Sequence, residues 1–235
     1  MDRFIGKSVV ITGGSSGIGL AIAQSLIDSG ARVAITGRDE KKLYKTAERL
    51  QALAIRADVS SEPDVERTYR EVLQAFGHLD ILINNAGFGF FKPLLEVERA
   101  SFDAVFATNV TGAMLMAREA AKHFIKQNRG NIINICSTAS LRGAANCTTY
   151  YASKFALRGM TECWRAELRK YNIRVCLINP SEVLTNFGDV MGEPQKENPT
   201  KLQADDIARM VKAVLDMNDR GFTPELSIFA TNPKD

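Results

Sequence analysis

The sequence predicts an α/β fold, a doubly wound parallel sheet of seven strands with helices on both faces, from three observations. Short β-branched runs alternate along the chain with longer segments of helical period. Several of the short runs, VVIT at 9–12, ILIN at 81–84 and NIINIC at 131–136, are apolar almost throughout, as in strands covered on both faces. A strand–helix–strand order forces parallel pairing through right-handed crossovers.

The first strand, 9–12, runs into a glycine-rich turn and a helix at 18–29. A second strand at 33–36 and a helix at 39–50 follow. The third strand is expected at 53–59, with a helix from about 63 to 76 whose entry sets Ser61 three residues before Asp64, in the manner of a capping box. Strand 79–84, a long helix over about 100–127, strand 131–137 and the helix carrying Tyr150 come next, then strand 173–179, helix 204–217 and strand 226–230. Glycine and proline break up residues 180–200, so about 181–200 reads as a substrate loop able to cover a ligand. One domain over 1–235 is expected.

Thirty Lys and Arg against 27 Asp and Glu give a net charge of +3, scattered along helices rather than gathered on one face. That pattern argues against a nucleic-acid partner. Cys136, Cys147, Cys163 and Cys176 lack paired spacing, which predicts reduced thiols and a cytoplasmic location. No apolar stretch reaches the length of a membrane span, the first residues do not form a signal peptide, and no metal ligand set is expected. His78 and His123 read as ordinary surface residues, and Trp164, Met114 and Met116 as packing.

The candidate chemistry sits at strand ends, where such sheets bind ligands. After the first strand comes TGGSSGIG, with Gly13, Gly17 and Gly19 opening a helix. Glycines let backbone approach a ligand closely, and the helix N-terminus offers N–H groups to a pyrophosphate; a bare strand-to-helix turn is the alternative. At the end of the second strand, where a carboxylate would bond the ribose of NAD(H), stand Gly37 and Arg38. Arg38 is either a fork for a 2′-phosphate, favouring NADP(H) over NAD(H), or a solvated residue opening the next helix beside Asp39. Tyr150 and Lys154, four residues apart, share a helix face, whereas Tyr151 is turned about 100° away. Ser137 ends the fifth strand on the same rim as the glycine turn.

With these motifs the chain resembles a short-chain dehydrogenase/reductase across essentially its whole length. The matching elements are Thr12 to Gly19, Asp58-Val59, Asn84 to Gly87, Asn109, Ser137 and Tyr150-x-x-x-Lys154, with Ser137 thirteen residues before Tyr150 and Asn109 45 before Lys154. The resemblance implies a Rossmann-type fold and a catalytic set of Asn109, Ser137, Tyr150 and Lys154. Tyr150 would be the general acid for a carbonyl oxygen, with its pKa lowered by Lys154. Lys154 would also hold the nicotinamide ribose, Ser137 the substrate oxygen, and Asn109 a water leading to Lys154. Cofactor contacts are implied from Gly13, Ser15, Ser16, Gly17, Ile18, Gly19, Arg38, Asp58, Val59, Asn85, Ala86, Gly87, Tyr150, Lys154, Pro180, Val183 and Thr185.

Two positions depart from the family pattern. Ser181 stands where a glycine is common after Pro180, which is expected to reroute the loop, and Ser140 replaces another glycine, which is expected to narrow or polarise the pocket mouth. The expected activity is an NADP(H)-dependent interconversion of a carbonyl and a secondary alcohol. A 3-oxoacyl-acyl-carrier-protein reductase or broad carbonyl reductase leads; a sepiapterin-reductase-like enzyme, a hydroxy-amino-acid dehydrogenase and a non-catalytic NADP(H)-binding sensor are the alternatives. A homodimer or homotetramer built through 100–127 and 150–170 is expected by the same analogy.

Overall fold

The computed structural model of the protein describes residues 3–185 and 198–233. Among the described residues nine strands run in chain order: β1 (Ser8–Thr12), β2 (Arg32–Gly37), β3 (Leu53–Arg56), β4 (Ile81–Asn84), β5 (Gly130–Ile135), β6 (Ile173–Pro180), β7 (Val183–Leu184), β8 (Leu202–Gln203) and β9 (Glu225–Ile228). The helices are α1 (Gly17–Ile27), α2 (Glu40–Leu50), α3 (Glu62–Phe76), α4 (Arg99–Phe106), α5 (Ala113–Gln127), α6 (Thr148–Leu168) and α7 (Ala204–Asp216). Seven strands form one parallel sheet in the order β3-β2-β1-β4-β5-β6-β9, as the alternating pattern predicts. The short parallel pair β7–β8 was not predicted, and residues 186–197 of the expected substrate loop lie outside the described residues.

Alternation along each strand divides the core into two layers. Val9, Ile11, Val33, Ile35, Ile81 and Ile83 face α1, α2 and α7, where Ile22, Leu26, Leu43, Ile207 and Val211 meet them. Val10, Ala34, Leu82, Ile132 and Val175 face α3 and α5, against Val65, Tyr69, Met116 and Phe124, with Trp164 of α6 packed beside them. A strand covered on both faces needs apolar residues at successive positions, and this is why VVIT and ILIN carry no polar alternation.

Two predicted boundaries are corrected. The third strand stops at Arg56 rather than 59, because the Asp58 N–H turns to the Asp64 carboxylate at 2.9 Å instead of a strand partner. Only half of the capping box forms there: Ser61 accepts from the Asp64 N–H at 3.4 Å, but the Asp64 carboxylate is taken by Asp58. The long helix expected over 100–127 is divided by a π-helical segment, Ala107–Gly112, between α4 and α5. Such bulges cluster at functional sites, and this one carries Thr108 and Asn109.

Candidate active site

The carboxyl ends of β1, β2, β4, β5 and β6 open onto a cleft of about 540 Å³. It lies across the point where the strand order reverses, between β1 and β4. Gly13 and Gly17 adopt φ of +64° and +53°, a backbone region that suits glycine. The turn is tied to the next strand end. Thr12 Oγ1 accepts from the Asn85 and Ala86 N–H groups at 3.0 Å each, and the Asn85 amide donates to the carbonyls of Thr12 and Gly13 at 3.0 and 3.2 Å. Ser16 caps α1 with no side-chain hydrogen bond, so the first N–H groups of the helix receive no internal side-chain acceptor. Across the cleft, Thr185 closes on the turn: a Cβ on Gly17 would sit 3.4 Å from its side chain.

At the end of β2, Arg38 lines the cleft with its guanidinium 3.9 Å from the Asp58 carboxylate and 5.9 Å from the centre of the Phe88 ring. Asp39 is occupied as the cap of α2, accepting from the Lys42 N–H at 3.0 Å. Lys42 lines the same end of the cleft, a second cation the sequence pattern did not single out. Thr36 also lines this wall; its side chain is buried and its hydroxyl has no hydrogen-bond partner. A glycine cradle, a helix start without a side-chain cap and cations at one end fit the phosphates of a nicotinamide dinucleotide.

The proton-transfer candidates stand at the opposite end. Ser137, Tyr150 and Lys154 all line the cleft, and the Ser137 hydroxyl hydrogen-bonds the Tyr150 phenol. Lys154 is 5 % exposed; its Nζ donates to the Ile135 carbonyl at 3.1 Å and lies 5.5 Å from the centre of the Tyr150 ring. Burial drives the Tyr150 phenol well above its ordinary value, opposed by the bond from Ser137. Burial also lowers the Lys154 ammonium. The expected lowering of the phenol by Lys154 is therefore corrected: the ammonium is directed at a carbonyl and stands off the ring, and desolvation dominates.

A family model described as short chain dehydrogenase matches residues 7–196. The chain belongs to the short-chain dehydrogenases. Among curated relatives, L-xylulose reductase of Caenorhabditis elegans is 36% identical over 225 residues, covering 90% of this chain and 88% of that protein. Among solved structures, an alcohol dehydrogenase from the archaeon Thermococcus sibiricus complexed with 5-hydroxy-NADP superposes with a TM-score of 0.89 at 28% identity, covering 97% of this chain and 99% of that one. A 3-ketoacyl-(acyl-carrier-protein) reductase from Brucella melitensis complexed with NADH gives a TM-score of 0.89 at 29% identity, with the same coverage. Membership makes this chain an oxidoreductase of alcohol and carbonyl groups.

Of the residues named from the dehydrogenase sequence, all but Gly19 and Asn109 line the cleft. Gly19 acts from behind: a Cβ there would lie 2.4 Å from the Asn85 amide nitrogen and 2.5 Å from the Gly13 carbonyl oxygen. Asn109 is 2 % exposed, and its side chain is committed to the Phe88 N–H (3.0 Å), the Phe88 carbonyl (2.8 Å) and Ser153 Oγ (3.0 Å). These bonds make the Asn109 side chain a tie for the loop after β4. Ser140 is fully buried and faces Ser137 and Asn179, so it does not narrow the pocket mouth as expected; Ser181 lines the cleft without a positive φ, and residues 186–197 of the loop expected to be rerouted lie outside the described residues. The dehydrogenase cleft also uses Phe88 and Cys136, residues adjacent to recognised motifs but without a pattern of their own. His78 and His123 are half-buried, against Asp80 at 3.0 Å and stacked on Tyr69 at 6.0 Å, rather than plain surface.

Proposed function

We propose that the protein is an NADP(H)-dependent reductase of an apolar ketone or 3-oxoacyl group, running also in reverse as a secondary-alcohol dehydrogenase. The observation that carries the reading is the convergence of the glycine turn, Ser137, Tyr150 and Lys154 on one cleft. The cofactor, when bound, supplies the hydride. Its phosphates would rest on Gly13 to Ile18, its adenosine end on Arg38 and Lys42 with Asp58 and Val59 beside them, and its nicotinamide end near Pro180, Val183 and Thr185, with Asn85, Ala86 and Gly87 beneath. Lys154 would hold ribose hydroxyls. A bound carbonyl oxygen would accept hydrogen bonds from Ser137 and Tyr150, and Tyr150 would pass its proton to that oxygen. The phenol is protonated at neutral pH, the form that donates to the carbonyl oxygen, and the bond from Ser137 opposes the rise that burial imposes and so favours release of that proton.

Substrate preference is proposed from the rings packed around Tyr150, which border the residues lining the cleft rather than belonging to them. Phe91 meets the Tyr150 ring edge-on at 6.2 Å, Tyr151 does so at 6.2 Å, and Gly89 packs so close that a Cβ would come 2.6 Å from the ring. Aromatic surfaces favour an apolar carbonyl compound over a polyol. The resemblance further supports a homodimer or homotetramer through α4, α5 and α6. The test is NADPH oxidation with a panel of ketones and 3-oxoacyl thioesters. Turnover is expected, falling about a thousandfold in Tyr150→Phe while NADPH affinity holds. Tight NADPH binding with no turnover on any of them would instead favour a cofactor-binding sensor.

A further inference from the structure

Beneath Ser137 runs a chain of polar side chains that starts in the turn after β5, crosses β6 and β9 and ends on the helix that carries Tyr150. Ser140 and Asn179 are both fully buried. The Ser140 hydroxyl donates to the Ser137 carbonyl at 2.8 Å, and the Ser140 N–H reaches the same oxygen at 3.0 Å. Asn179 Oδ1 lies 3.3 Å from that hydroxyl. On its other side the Asn179 NH2 donates to Glu225 at 2.7 Å, and Glu225 pairs with Arg158 at 3.1 Å. A carboxylate only accepts, so Glu225 dictates which way the Asn179 amide points, with its oxygen toward Ser140. Arg158 lies four residues beyond Lys154 on α6.

We infer that Ser140, Asn179 and Glu225 are positioning residues for the proposed reaction, holding the Ser137 turn at a fixed height against the helix that carries Tyr150 and Lys154. The inference rests on the roles proposed above for Ser137 and Tyr150. Ser137 stands in extended backbone (φ −174°), and its hydroxyl accepts from the Ala139 N–H at 3.1 Å and is bonded to the Tyr150 phenol. Two hydrogen bonds from Ser140 to its carbonyl set the turn, the single Ser140 hydroxyl proton lies between that carbonyl and Asn179 Oδ1, and Glu225 fixes the amide that presents this second acceptor. The same chain couples the end of β9 to the reacting group without touching substrate.

The test compares Ser140→Ala and Glu225→Gln with Ser137→Ala and Tyr150→Phe. With Ser140→Ala, kcat for ketone reduction is expected to fall about tenfold with KM and NADPH affinity little changed, as for an alignment lost in the transition state. The pH profile of alcohol oxidation should shift toward higher pH, in the direction Ser137→Ala shifts it, because the Ser137 bond is what opposes the raised phenol. Glu225→Gln should give the same two changes in smaller degree. It sits half-exposed at the sheet edge and preserves side-chain shape, so it carries the test if the buried variant does not fold. Parental kcat and pH profile in either folded variant, with only melting temperature reduced, would overturn the inference. Parental turnover in Tyr150→Phe would instead overturn the proposed function itself.

Discussion

At the scale of single residues, charge placement at the end of β2 carries the clearest consequence. Arg38 is mostly exposed and its partner Asp58 is 3.9 Å away, a weak pair that leaves the guanidinium able to turn toward a phosphate. Arg38→Asp is expected to move the NADPH-to-NADH ratio of kcat/KM toward NADH by about tenfold to a hundredfold, the value of a charge-assisted hydrogen bond. Lys42→Ala should do so more weakly, and steady-state kinetics with both nucleotides measure each effect. Arg38 was legible because it follows a strand end. Lys42 was not, because it lies a turn inside α2, where spacing alone does not show which helix face borders the cleft. Tyr150 gives a second outcome at this scale. With the phenol raised by burial, reduction should stay flat with pH up to about 9, while alcohol oxidation, which needs the phenolate, should rise about tenfold per unit. A profile in which oxidation is already at plateau near neutrality would show that something lowers the phenol in the working complex.

Elements transmit these placements through close backbone contacts. Gly19 brings α1 against the strand-end loop at a distance that admits no Cβ, and one of the obstructing atoms, the Gly13 carbonyl oxygen, belongs to the cradle itself. Gly19→Ala is therefore expected to push the start of α1 outward, costing roughly 1–3 kcal/mol of stability as an overpacked contact. It should also weaken NADPH binding, which fluorescence titration would register; unchanged affinity would place the cradle beyond the reach of that contact. The glycine spacing was readable, but not which glycines border the cleft and which set its depth. The π-helical segment had no sequence signal either, because the apolar period of α4 and α5 continues on both sides of it. Its location follows from Gly112, where a Cβ would meet Val59 at 2.5 Å, and from Asn109 gripping Phe88 at both backbone groups. The parallel order, by contrast, followed from apolar runs such as ILIN, since a strand covered on both faces has few other homes.

For the whole molecule, the two layers of helix on sheet bury ionisable groups that link stability to pH. Tyr69 is 2 % exposed between α3 and α5, with its hydroxyl donating to the Met116 carbonyl at 2.6 Å. Burial, reinforced by the nearby Glu119 carboxylate, holds its phenol well above the ordinary value of 10.0, and burial raises Tyr150 likewise. The folded chain thus keeps two protons that the unfolded chain releases near that value. Their stabilising contribution is complete below about pH 10 and is lost as pH climbs toward the folded-state values. Lys154 works in the opposite sense. Its lowered pKa means that the buried ammonium is a cost at neutral pH, one relieved as it deprotonates in alkali, so it offsets part of the loss. Two phenols, joined by the buried thiols of Cys136 and Cys176 that burial also raises, against one ammonium leave a net decline, at most about 1.4 kcal/mol per pH unit for each unbalanced proton. Tyr69→Phe separates the contributions. At neutral pH it should cost about 1 kcal/mol for the lost hydrogen bond, yet its stability should fall less steeply above pH 10 than the parent's. Urea unfolding at a series of alkaline pH values measures both slopes, and parallel curves would mean that the Tyr69 proton is not retained by the fold.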